Sequence, residues 1–181
     1  MKEKLKKIAI FIGLFLIFLF SSLFYIIPLE ILNIDYNTLN SSMKVLLSIG
    51  SSLIIISILI IIYYKDLKEM LSDYKKNYKE YFDLGLKCWF VGLVIMCLSN
   101  ILISMLTPVH EANNEVLVQN MLKASPFLSF ISSSLLAPFI EEMIFRKSLG
   151  DIFDNKYFKI IMSALIFGLL HVIFSFNTWY D

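Results

Sequence analysis

IAIFIGLFLIFLFSSLFYII, residues 8 to 27, contains no charged side chain. As a helix rising about 1.5 Å per residue it reaches roughly 30 Å, the thickness of the hydrocarbon layer of a bilayer. It exceeds the roughly 7–15 apolar residues of a cleavable signal peptide, and more apolar stretches follow, so it reads as a retained membrane anchor. The chain repeats this pattern: of 181 residues 58% are hydrophobic, 16 are phenylalanine and 17% are charged, against about 25% charged residues in soluble domains. Val45 to Tyr64, Cys88 to Leu106, Phe127 to Phe145 and Phe158 to Phe176 are further candidates to cross. The predicted fold is all-α: a multi-pass transmembrane helix bundle in the cell membrane, with five spans at 8–27, 45–64, 88–106, 127–145 and 158–176. No internal repeat or soluble domain interrupts it, so residues 1–181 read as a single membrane domain.

Orientation follows from where the basic residues lie, because cytoplasmic loops retain them. Lys2, Lys4, Lys6 and Lys7 precede the first span. Lys65, Lys68, Lys75, Lys76, Lys79 and Lys87 lie between the second and third, and Arg146, Lys147, Lys156 and Lys159 between the fourth and fifth. Of the 16 basic residues only Lys44 and Lys123 fall on the other side, which predicts a cytoplasmic N-terminus. The formal net charge of +1 gives no reason to propose nucleic-acid binding. The partners expected are the lipid bilayer and a membrane-associated peptide or protein; the sequence sets no oligomeric state.

Between the second and third spans, Leu67, Met70, Leu71, Tyr74, Tyr78, Tyr81 and Phe82 recur at helical spacing among lysines and acids. That segment reads either as a helix on the membrane surface or as a charged connector. Cys88 and Cys97 are nine residues apart, on opposite sides of one helix, and read as packing residues. His110-Glu111 begins like a zinc-binding HExxH, but Asn114 stands where the second histidine belongs, so the zinc reading fails.

The fourth span carries the chemistry. SSSLLAPFIEEMIFR, residues 132 to 146, sets Glu141 and Glu142 into an apolar helix and follows them with the only arginine. Ionisable groups at membrane depth are costly unless they reach water or a partner. Glu142 and Arg146 are i and i+4, the favourable order for an ion pair, whereas Glu141 is about 140° away from Arg146 on an α-helical wheel. Pro138 denies the Ser134 carbonyl its helix partner, so a kink just before Glu141 can open a watered recess. In the fifth span, SALIFGLLH, residues 163 to 171, puts His171 into an apolar helix whose small residues Ser163, Ala164 and Gly168 favour close approach of a neighbour. A carboxylate and an imidazole together can hold and deprotonate a water, directly or on a metal. His171 lies about 20 Å along its helix from Phe158, so the two groups meet only if that helix starts in the cytoplasm or tilts.

PFIEEMIFR (138–146) and SALIFGLLH (163–171) resemble the EExxxR and FxxxH motifs of the CPBP intramembrane protease family, which includes CAAX prenyl endopeptidases and bacterial Abi proteins. The resemblance covers a catalytic segment at about 126–181. It implies that Glu141 and His171 activate the attacking water, that Glu142 and Arg146 hold the site together, and that Phe167 packs beside it, with Pro138 supporting. If the chemistry is metal-dependent, Glu141 and His171 would be ligands of a divalent ion such as zinc, short of the three protein ligands usual in a catalytic site. The family pattern continues with a helix bearing a second histidine and an Asn or Asp that stabilise an oxyanion. The sequence reaches Asp181 without it, so the segment reads as incomplete.

The function implied is an intramembrane endopeptidase cutting a peptide bond near the cytoplasmic face, on a CAAX-type or peptide-maturation substrate. The alternative is a non-catalytic immunity or scaffold protein related to bacteriocin self-protection. Ion or proton transport also uses buried carboxylates, but predicts a second copy of the broken Pro138 region, which the sequence lacks.

Overall fold

Apolar runs with few helix breakers leave the backbone one way to satisfy its own hydrogen bonds, and every regular element described is helical. A computed structural model describes residues 2–106 and 113–172, with the side chains of 113–118, 171 and 172 excepted. The elements are α1 (Lys2–Leu19), α2 (Leu23–Ile31), a 3₁₀ turn (Tyr36–Thr38), α3 (Ser41–Leu106), α4 (Asn113–Ala124), α5 (Pro126–Ile152) and α6 (Lys156–Val172). Two helices, α3 and α5, are long and apolar enough to cross a membrane, and the bent pair α1–α2 makes a third if it is one span.

This differs from the expectation of five spans in identifiable places. The first expected span is not one straight helix, for α1 and α2 meet at 51°. The break falls at Ser21 and Ser22, where Ser21 N–H reaches the Phe18 carbonyl and Leu23 N–H the Phe20 carbonyl, three residues back rather than four. Serine pairs favour such breaks, and Pro28 removes a further donor one turn on. The second and third expected spans fall within one element, the 66-residue α3, because the segment joining them has no proline to end it. Its backbone leaves helical values only at Tyr63 (φ −106°, ψ 20°) and Asn77 (φ −115°, ψ 20°). The fifth expected span lies in α6 and extends beyond the described residues.

The described parts of residues 1–59 and 112–179 form one compact unit, and those of 60–111 another. The first has a core of Leu14 from α1, Val45, Ile55 and Leu59 from α3, and Ile140, Met143, Ile144, Phe145 and Leu149 from α5. In it α1 and α6 both pack on the C-terminal half of α5. Ser129 ties α4 to α5 by donating its hydroxyl to the Met121 carbonyl at 2.8 Å. The second unit is helix with its apolar side chains outward, among them Trp89, Phe90, Ile95 and Met105, a surface suited to lipid rather than water.

Candidate active site

Pro138 sets the local geometry. An α-helical turn would drive its ring into the Ser134 carbonyl. The chain instead widens over Ser132–Leu136 into a π turn, in which Ala137 N–H bonds the Ser132 carbonyl five residues back. An α turn follows (Ala137–Glu141), then a second π segment (Glu142–Ser148), closed by Leu149 N–H on the Ile144 carbonyl at 3.0 Å. Such π turns inside helices concentrate at functional sites. The expected disturbance at Pro138 is thus a change in winding, and it changes which side chains share a face. In an α-helix position i+5 is about 140° round from position i, whereas the wider i→i+5 winding of a π turn brings it closer to the same face. Glu141 and Arg146, expected far apart on the wheel, line the same cleft together with Glu142.

That cleft, about 580 Å³, lies between α5 and α6. Its α5 wall also carries Pro138 and Phe145; its α6 wall carries Lys156, Lys159, Ile160, Ser163, Ala164 and Phe167. Glu142 Oε1 sits 3.2 Å from Arg146 Nη1, the i,i+4 pair expected from spacing. With side chains 58% and 73% exposed, the pair orients two groups rather than holding the fold. Glu141 is half-buried beside it.

Phe145 anchors the cleft from behind. Its ring is buried and meets Phe15 (6.2 Å), Phe18 (5.6 Å) and Phe167 (5.6 Å) edge-on, joining α1, α5 and α6. Its carbonyl accepts the Ser163 hydroxyl at 2.8 Å. Ser163 is therefore a tether as well as a small residue, while a side chain at Gly168 would meet open space, so no close approach is made there. Gly150 is the tight position: a Cβ would fall 2.3 Å from Lys159 Cε.

These contacts fix how the helices run. Gly150 faces Lys159, and Phe145 faces Ser163 and Phe167, so later residues of α6 meet earlier ones of α5 and the two are antiparallel. One turn further, Glu141 stands level with positions 167 to 171. Position 171 follows Ser163 and Phe167 in the same i+4 row of α6; the His171 side chain is outside the described residues, as is His110. Among the described residues no group of three or more His, Cys, Asp or Glu side chains can hold a metal ion. At the cleft Glu141 stands beside a Glu142 already paired with Arg146, and these described donors do not make up a catalytic zinc site.

Spacing did not flag Lys156, Lys159 or Ile160 as lining residues, nor Phe15 and Phe18 as partners of Phe145. Only the lysines carried a signal, two cations in the first turn of a helix, where the dipole disfavours them.

Helices long and apolar enough to cross a membrane, and a cleft between two of its helices bearing two carboxylates, define an all-helical protein of membrane type. Residues 123–180, the segment that builds the cleft, match the family model of Rce1-like type II CAAX prenyl endopeptidases. Comparison with curated proteins and with solved structures found no match.

Proposed function

We propose that this protein is a CAAX-type intramembrane endopeptidase whose water is activated by Glu141 with the help of His171. The observation that carries the reading is the gathering of Glu141, Glu142 and Arg146 in one cleft, within the segment similar to CAAX prenyl endopeptidases. Water held by the Glu141 carboxylate attacks the substrate carbonyl carbon and gives up a proton to that carboxylate. The tetrahedral intermediate collapses, the C–N bond breaks, and the proton passes to the leaving amine. Glu142 and Arg146 fix each other beside Glu141, the carboxylate given the proton-accepting role. The antiparallel register, carried on along α6 from the Phe145–Ser163 and Phe145–Phe167 contacts, supports a partnership of Glu141 with His171. The substrate is a membrane-associated peptide, and the chain crosses the bilayer five times with the N-terminus cytoplasmic.

Glu141→Gln and His171→Ala in the complete protein are expected to lower cleavage of a lipidated CAAX peptide by about 10²–10⁴-fold, the usual worth of a general base, with membrane insertion unchanged. Full cleavage by both variants would sink the mechanism. Peptide binding and protection retained by Glu141→Gln, with no cleavage by the wild type, would instead favour a non-catalytic immunity or scaffold role.

A further inference from the structure

Lys156 and Lys159 stand at the loop end of the cleft, and among the described residues neither has an ion-pair partner. Their neighbour Lys147 differs, being paired with Asp151. Both unpaired lysines sit in the first turn of α6, where the helix dipole already presents positive charge and no acid offsets it. The first-turn amides are occupied, since Asn155 Oδ1 accepts from Tyr157 N–H (2.9 Å) and Phe158 N–H (3.1 Å). An anion here is therefore met by ammonium groups rather than by backbone.

The Lys159 side chain also lies across Gly150: a Cβ there would fall 2.3 Å from Cε and 3.0 Å from Nζ. The absence of a side chain at position 150 gives the flexible end of Lys159 room to lie at the α5–α6 turn. Beyond the lysines the α6 wall turns mostly apolar, with Ile160, Ala164 and Phe167 around Ser163, while Glu141, Glu142 and Arg146 stand on the α5 wall opposite. Two cations at one end and an apolar wall behind them suit an amphiphile with an anionic head and a hydrocarbon tail.

We propose that the cleft binds an anionic phospholipid, its phosphate on Lys156 and Lys159 and the start of its acyl chain against Ile160 and Phe167. A lysine pair acts as two point charges, which suits a tetrahedral phosphate; planar carboxylates are better matched by the arginine fork. Basic recesses between membrane helices on the cytoplasmic side, where the positive residues of this hairpin are expected, meet anionic headgroups.

The test is binding of phosphatidylglycerol to the full chain, measured by native mass spectrometry and by thermal shift in detergent, with phosphatidylcholine as reference. Each lysine beside an anionic headgroup contributes about five-fold, so the double variant Lys156→Gln/Lys159→Gln is expected to bind phosphatidylglycerol roughly twenty- to thirty-fold more weakly. Gly150→Ala keeps every charge and shifts only the flexible end of Lys159, so it is expected to weaken binding far less than the double variant does. The double variant Lys68→Gln/Lys76→Gln, equal in charge loss but distant in sequence, is expected to bind as wild type. Unaltered binding by Lys156→Gln/Lys159→Gln overturns the proposal, and so does an equal loss in Lys68→Gln/Lys76→Gln, which would mean diffuse attraction. If a peptide with a free C-terminus stabilises the protein through these lysines while its amide and phosphatidylglycerol do not, the wall belongs to a peptide carboxylate and the lipid proposal fails.

Discussion

Replacing Phe145 with alanine tests whether one ring joins α1, α5 and α6. The ring is 2% exposed and meets Phe15, Phe18 and Phe167 edge-on at 5.6–6.2 Å. In a soluble core, Phe→Ala costs about 3–5 kcal/mol. In a bilayer part of that disappears, because lipid tails are as apolar as the ring's neighbours and only packing is lost. Edge-on ring pairs contribute about 0.5–1.5 kcal/mol each, and the loss of all of them is expected to destabilise the protein by roughly 2–4 kcal/mol. That amounts to a factor of about 30 to 1,000 in the folding equilibrium, since about 1.4 kcal/mol is tenfold. Reversible unfolding in bicelles reads this directly, with Phe127→Ala as control because Phe127 is 73% exposed. The control is expected to stay within about 0.5 kcal/mol of wild type. A Phe145→Ala loss no larger than the control's would refute the packing argument.

Ser163→Ala removes the hydroxyl donated to the Phe145 carbonyl, and is expected to cost about 0.5–1.5 kcal/mol in the same assay. Ser163→Thr, which keeps a hydroxyl, is expected to recover much of it, and equal loss in both variants would point to a size effect instead. A double-mutant cycle of Glu142→Gln and Arg146→Gln is expected to give a stability coupling below about 1 kcal/mol, because the pair is exposed. Both single variants are nevertheless expected to lower cleavage at least tenfold, so a large stability coupling with cleavage intact would reverse the assignment.

What the sequence disclosed depended on where helical spacing was a fair guide. The Glu142–Arg146 pair follows from α-helical spacing and appears in the cleft. The wheel set Glu141 well away from Arg146, yet both line the cleft, where winding around Pro138 changes to π and no hydropathy pattern encodes that change. Phe15 and Phe18 were illegible for another reason. From Ile8 onward every face of α1 is apolar, so nothing in its spacing distinguishes the face that meets Phe145 from the faces left exposed. Lys156 and Lys159 were read only as charges that orient the hairpin, since a contact with Gly150 depends on how two helices meet.

The length of α3 decides how the five-span reading can be tested. Sixty-six residues at about 1.5 Å each make roughly 100 Å, three times the hydrocarbon thickness. Its middle, 65–87, carries Lys65, Asp66, Lys68, Glu69, Asp73, Lys75, Lys76, Lys79, Glu80, Asp83 and Lys87, and each lysine or aspartate at bilayer depth costs about 2.5–3.5 kcal/mol. On the five-span reading that segment lies outside the hydrocarbon, and the apolar stretches on either side are separate crossings. The backbone break at Tyr63 falls at the end of the first of these, where the charged residues begin. With exposed Cys88 and Cys97 changed to serine, Lys76→Cys is expected to resist an impermeant maleimide added outside intact cells, while Lys44→Cys and Lys123→Cys react. Labelling of Lys76→Cys from the outside, as fast as Lys44→Cys, would put both ends of the 45–64 stretch on one side and remove it as a span.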